Sequence, residues 1–410
     1  MRKNRILWID QLKGLAFFFV ILGHTAGINA VFKSWVYSFH MPLYFIAGGF
    51  HYDFNKVYKS SFKDYFIKNF KGLIVPYVWL NFFCISIRYI MVFFITHKPL
   101  DIPGYMKGIL LSNTKLEGCP SPSGPTYFII LIALSRLGLW FITKLFKADR
   151  TKIGICCVLL TSISILTWNK NFPWHLNVVP TAMLMTYIGR IVMEFYEHHK
   201  EKIHSLKPLS LSTVCTFLLI FGVTVWKFNG RVSFHGNYYG KNYLLFILSA
   251  AATCTAFILL CTRLPNLKIV SYLGTNTLFA LGVHDSLIRI LETAFKEQKD
   301  TTWFSLAESV MIFLSLIPMA YFINRFMPYA NGRPLTAKGI VTEAFKFISV
   351  VIAGFGPCNY FINNFRNGLL ESTVLYKITS YCAFVLLCFV AYMLFTRVFR
   401  FMFNDDKATK

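Results

Sequence analysis

Asp10, Lys13 and His24 interrupt an otherwise apolar run at residues 6–27. On an α-helix the spacing from Lys13 to His24 is 11 positions, about 20° around the axis and roughly 16 Å along it. Asp10 precedes His24 by 14 positions, about 40° away, so all three share one face. Ionisable groups inside a membrane span are expensive and by default mark function. Imidazole titrates near neutral pH, which suits His24 to taking or giving a proton. A plainer reading has Asp10 and Lys13 snorkelling to an interface while His24 caps the far end.

Other chemistry-bearing residues are scattered more widely. His40 lies two residues before Pro42, and broken spans of this kind often line cavities. It is a candidate for substrate binding, with a helix-packing hydrogen bond as the competing role. His284 stands beside Asp285 and near Arg289, and is a second candidate for substrate binding. Arg88 and Arg136 are interior charges without an obvious partner in the sequence. The stretch His235-Gly236-Asn237-Tyr238-Tyr239-Gly240 combines rings with small polar groups. Such a mixture suits a sugar's apolar face, with Asn237 and Tyr239 as the binding candidates, although a plain turn also explains Gly236-Asn237. No CxxC and no Cys/His cluster of zinc spacing occurs, so no metal is expected.

The elements that must hold these residues are membrane helices. The 410 residues are 55% hydrophobic, 18% aromatic and 15% charged, where a soluble domain carries about a quarter charged residues. Mean hydropathy is +0.52. This composition excludes a disordered chain and argues for lipid rather than nucleic acid as the partner. The net charge of +24 then reads as loops gripping anionic headgroups. Apolar runs fall near 6–27, 36–50, 72–96, 125–143, 153–168, 174–193, 210–226, 243–262, 269–291, 304–324, 341–362 and 376–396. The second is short, and the eleventh is interrupted by Gly354, Gly356 and Pro357. With the N-terminus in the cytoplasm, 25 of the 42 Lys and Arg fall in cytoplasmic loops, 11 on the opposite side and 6 within spans or at their edges. That asymmetry is the positive-inside pattern. The run after Met1–Arg5 reads as a retained first span rather than a cleaved signal, because Asp10 and Lys13 lie inside it. Loop 97–124, with Pro99, Pro103, Pro120 and Pro122, reads as a non-helical outer flap. Most of the ten cysteines lie in apolar runs, where cysteine behaves as a small hydrophobe.

Several blocks together resemble the membrane-bound acyltransferase-3 family. Asp10-Gln11-Leu12-Lys13-Gly14 with Leu22-Gly23-His24 is similar to its opening signature, in which ten residues separate a basic residue from a histidine. Ser38–Ile46 followed by Gly48-Gly49-Phe50 is similar to its second-helix block, with Gly48 where Ser is usual. Lys68-Asn69-Phe70-Lys71 with Ile74-Val75-Pro76-Tyr77 looks like the start of its third helix, and Leu273–Leu278 with His284 like a late block. Tyr127 stands where many members have Trp. The fucose and polysaccharide O-acetyltransferases are the branch most resembled. The resemblance implies an all-α polytopic transmembrane bundle of about ten family helices. It implies an acyltransferase domain over 1–330 and a C-terminal extension over 331–410 with one or two further spans. It implies acetyl transfer, or less readily succinyl transfer, from acetyl-CoA to a sugar hydroxyl of an envelope polysaccharide or lipid-linked glycan. His24 is then the catalytic residue, taking the hydroxyl proton or itself being acylated and handing the acyl group on. Lys13 steadies phosphate or developing charge, Asp10 orients Lys13, and Lys68 and Lys71 bind coenzyme A, with plain positive-inside anchoring as their competing role. The implied partners are membrane lipid and a glycan acceptor, in the cell's inner or plasma membrane. A polysaccharide transporter is the competing class, since charges lining a broken-helix cavity serve transport too.

Overall fold

The computed structural model describes residues 6–95 and 100–333, together with 346, 348–349, 351–357, 359–360, 390 and 393. Fourteen α-helices make up most of the described residues, with no β-strand among them. They are α1 (Leu7–His24), α2 (Ala30–Gly49), α3 (Phe54–Lys59), α4 (Phe62–Asn69), α5 (Val75–Ile95), α6 (Ile102–Leu111) and α7 (Tyr127–Leu145). Then follow α8 (Arg150–Leu166), α9 (Val179–Ser205), α10 (Pro208–Asn229), α11 (Tyr243–Arg263), α12 (Lys268–Gly274), α13 (Thr277–Ala294) and α14 (Thr302–Phe326). Among the described residues, seven stretches are long and apolar enough to cross a membrane. Ten of the twelve apolar runs coincide with helices α1, α2, α5, α7, α8, α9, α10, α11, α13 and α14. The chain is a multi-pass helical membrane bundle.

Local chemistry sets where the helices begin. The second run is longer than its apolar stretch, because Asn29 caps α2 six residues earlier by accepting from the Val31 and Phe32 amides. Twenty residues reach roughly 30 Å, a full bilayer core. The expected non-helical flap is corrected in one part: α6 forms within it. Asp101 caps that helix through the Gly104 amide, and Pro103 falls in the first turn, where a missing N–H costs nothing. Pro99 lies outside the described residues. Within the eleventh run, 351–357 are helical despite two glycines and dock on α5, where the Ser86 hydroxyl donates to the Ala353 carbonyl at 3.0 Å. The run 376–396, apart from 390 and 393, and residues 1–5 lie outside the described residues.

Packing is closest where glycines let backbones touch. Gly14 on α1 meets the Val270 carbonyl of α12, and Gly274 at the end of α12 meets the Asp10 carbonyl of α1. Any side chain at either position would collide with backbone, so α1 and α12 cross with Asp10 and Lys13 beside the contact. Gly49 and Gly189 make the same kind of approach between α2 and α9. Just past α12, the fully buried Asn276 accepts from Asn324, Asn331 and Arg333 at 2.7, 3.0 and 3.0 Å. Its own amide donates to the Tyr272 carbonyl. This network ties α12, α13, α14 and the 328–333 turn together.

Candidate active site

At the His24 end of the bundle a cavity of about 330 Å³ opens among four elements and two loops. α1 contributes Val20 and His24, and α2 contributes Tyr37, His40 and Met41. Tyr127 and Phe128 come from the start of α7, and Leu281 from α13. The loop after α6 supplies Thr114 and Lys115, and the turn after α10 supplies Arg231 through His235. His24 and His40, sixteen residues apart in sequence, thus share one wall because α1 and α2 pack side by side in opposite directions.

Hydrogen bonds orient the imidazoles. His40 Nδ1 lies 2.7 Å from the Val36 carbonyl. A carbonyl only accepts, so Nδ1 carries the proton and Nε2 keeps its lone pair. His284 Nδ1 is fixed in the same way by the Ala280 carbonyl at 3.1 Å, and its Nε2 has no hydrogen-bond partner among the described residues. The His284 ring is edge-on to His24 at 5.4 Å and to Phe17 at 5.5 Å. Asp285, ion-paired with Arg289 at 3.0 Å, acts electrostatically on both His24 and His284. Tyr37 lies between the two cavity histidines, with ring centroids 6.3 Å from His24 and 5.1 Å from His40.

The outer rim is a second cluster that sequence reading left unassembled. Tyr127 is 4.7 Å from both His175 and His235, and those two rings are 4.8 Å apart. The Thr114 hydroxyl lies 2.9 Å from His235 Nε2, which pins the loop after α6 to the turn after α10. Burial, then the nearby Lys115 charge, lowers the His235 pKa to about 4, so this imidazole is neutral near pH 7. Arg88 has partners after all: its guanidinium donates to the Tyr105 hydroxyl at 2.5 Å and the Ser121 carbonyl at 3.2 Å, so it anchors the 100–126 segment. No sequence signal joins Tyr127, His175 and His235, because they lie 48 and 60 positions apart on separate segments.

Three other candidates stand apart from the cavity wall. His284 has no exposed surface and packs behind His24 instead of lining the cavity. Asn237 is buried with left-handed backbone, and its amide donates to the Ser164 and Thr167 carbonyls at the end of α8. Tyr239 is fully buried against Tyr243, Phe246 and Trp168. Both residues hold the 230–242 turn in shape, and neither lines the cavity.

Asp10 and Lys13 lie near the other end of α1, roughly 21 and 16 Å from His24 along the helix. The Tyr44 hydroxyl donates to the Lys13 carbonyl at 3.2 Å, and the Tyr44 ring is edge-on to Phe128 of the cavity at 5.5 Å. An aromatic partition therefore stands between the two ends. On the turn after α2, His51 feels the charges of Lys13, Asp10, Arg136 and Arg190. Desolvation by the surrounding protein, then the Lys13 charge, lowers its pKa. Arg190 is itself paired with Glu194 at 2.8 Å. Lys68 is exposed on α4, a helix tied to α7 by Tyr65 on the Arg136 carbonyl and by Asn69 on the Ala133 carbonyl. Lys71 follows in the π-turn Phe70–Ile74. One end of the bundle is thus basic, and the other holds the imidazole-lined cavity. No His/Cys/Asp/Glu cluster able to hold a metal ion occurs among the described residues.

No curated protein and no solved structure matches the chain. A family model described as an acyltransferase domain does match, over residues 6–325, which include α1 through most of α14. With a helical membrane bundle carrying Lys13 and His24 on one helix, this match means that the chain belongs to the acyltransferase-3 family.

Proposed function

We propose that this membrane acyltransferase moves an acetyl group from acetyl-CoA to a sugar hydroxyl of an envelope polysaccharide or lipid-linked glycan. The observation that carries the reading is the convergence of His24 and His40 in one cavity, on the helix that also bears Lys13. The basic end suits the donor. Lys13, Arg136 and Arg190 around His51, with Lys68 and Lys71 on the neighbouring segment, offer cations for the phosphates of coenzyme A. Asp10, one turn before Lys13, orients it. The opposite cavity suits the acceptor, with Tyr37, Tyr127 and Phe128 as faces for a sugar ring.

In this mechanism His24 takes the proton of the acceptor hydroxyl as its oxygen attacks the thioester carbonyl. The C–S bond breaks, the C–O ester bond forms, and the thiolate leaves to be protonated by His24 or solvent. His40, with its Nε2 lone pair available, holds the acceptor or a neighbouring hydroxyl. Asp285, whose charge reaches His24 from behind the cavity wall, steadies the imidazolium as it forms, and the His284 ring packs against the His24 ring to hold its position. The positive-inside pattern supports an N-terminus in the cytoplasm of an inner or plasma membrane, so the donor binds inside and the acceptor cavity opens outward.

The test uses purified protein in nanodiscs with radiolabelled acetyl-CoA and envelope glycan. Wild type transfers label to glycan. His24→Ala protein, eluting as a folded species, loses transfer about 10²–10⁴-fold, while acetyl-CoA binding is kept. Transfer by His24→Ala at the wild-type rate removes His24 from the chemistry.

A further inference from the structure

The His24 cavity has a charge pattern that acyl transfer alone does not require. Its charged lining residues are Lys115 and Arg231, and no carboxylate lines it. Asp285, the acidic group whose charge reaches His24, is held by Arg289 outside the wall. Lys115 and Arg231 are exposed, and neither takes part in an ion pair among the described residues. Both charges act inside the cavity: Lys115 on the His235 ring and Arg231 on the Tyr37 phenol. The loops that carry them are fastened to one another through Thr114 and His235. General loop bias does not account for them, since the positive-inside count puts 25 of the 42 Lys and Arg on the other side and 11 on this one.

We propose that the acceptor is an anionic glycan, a sugar unit whose oxyanion is held by Arg231 and Lys115 while a hydroxyl faces His24. This rests on the acyl-transfer reading for the hydroxyl, and on the cavity alone for the charge. The forked guanidinium of Arg231 matches a carboxylate or a phosphate with two parallel hydrogen bonds, and Lys115 adds a point charge. Tyr37 and Tyr127 then meet the ring's apolar face. At about 330 Å³ the cavity is at the small end of ligand pockets, which fits one sugar with its substituent rather than a long chain.

The experiment separates charge recognition from transfer. Binding of tetragalacturonate and of its carboxyl-reduced neutral counterpart is measured by calorimetry on the full protein in nanodiscs, without acetyl-CoA. A glycerol-phosphate oligomer, compared with free glycerol, distinguishes phosphate from carboxylate as the recognised oxyanion. The expected result is at least a tenfold preference for a charged probe over its neutral counterpart. That preference weakens as salt rises from 50 to 500 mM. It collapses in Arg231→Gln and Lys115→Gln protein, and Arg231→Lys retains part of it. Equal affinity for charged and neutral members of both pairs overturns the proposal, as does a preference that Arg231→Gln leaves intact. Selective binding of a charged probe with no acetyl transferred to any glycan would leave this inference standing and sink the transfer reading instead.

Discussion

At the scale of single residues, the cavity is organised by which ring nitrogen is already engaged. His40 and His284 each commit Nδ1 to a helix carbonyl, so each leaves a lone pair on Nε2; His40 and His24 have their rings in the cavity wall, with His284 behind. Lys13 lies toward the opposite end of α1 and, on the proposed reading, serves the donor. Lys13→Met is therefore expected to raise the KM for acetyl-CoA about tenfold, as befits a lost charge-assisted contact of about 1.4 kcal/mol. The KM for acceptor should stay within a factor of two, and steady-state kinetics with each substrate varied in turn checks this. His235 makes a pH prediction. Its folded value of about 4 lies below the ordinary 6.5, so unfolding takes up a proton between those limits. The contribution to stability is complete above pH 6.5 and is lost as pH falls toward 4. Hydrogen exchange in residues 230–242, corrected for intrinsic rate, should accelerate from pH 7 to 4.5. His235→Asn protein should show a flatter dependence.

At the scale of elements, the placement of the catalytic helix depends on small residues and one buried amide. α1 is held at Asp10 and Gly14 by α12, where Gly274 admits the Asp10 carbonyl. Gly274→Ala is expected to force the two helices apart, costing about 1–3 kcal/mol. A lower thermal midpoint together with weaker acetyl-CoA binding would show it, since Asp10 and Lys13 move with the contact. Asn276→Ala removes an acceptor shared by Asn324, Asn331 and Arg333. Leaving these donors without it should cost about 1–3 kcal/mol, read as a loss of thermal stability in detergent with acetyl-CoA binding in the remaining folded fraction unchanged.

At the scale of the molecule, a basic end and an imidazole-lined cavity share helix α1 and are divided by Tyr44 and Phe128. On the proposed mechanism, with the N-terminus inside, the acyl unit passes between these residues to reach the acceptor. In proteoliposomes of uniform orientation, acetyl-CoA supplied on the side of the N-terminus should label glycan added on the opposite side. Labelling only when both substrates are on one side would place donor and acceptor at the same end and refute the division of labour. Phe128→Ala should widen the passage and raise the rate of acetyl-CoA hydrolysis without acceptor, because water then reaches the thioester.

Much of this architecture was written in local chemistry. Apolar runs mark ten of the helices, and period 3.6 alone puts Lys13 and His24 on one face, because both are properties of neighbours along the chain. Where side chains compete with that pattern, local reading fell short. Asn29 and Asp101 extend or start helices by capping backbone amides, an effect that hydropathy does not register. The cavity was decided only by packing. His40, Tyr127, Arg231 and His235, from 16 to 211 positions away in sequence, join His24 at one cavity, while Asn237 and Tyr239 turn inward to hold a loop and His284 lies behind His24. Residue type says what a side chain can do, but which way it faces follows from the helices stacked around it.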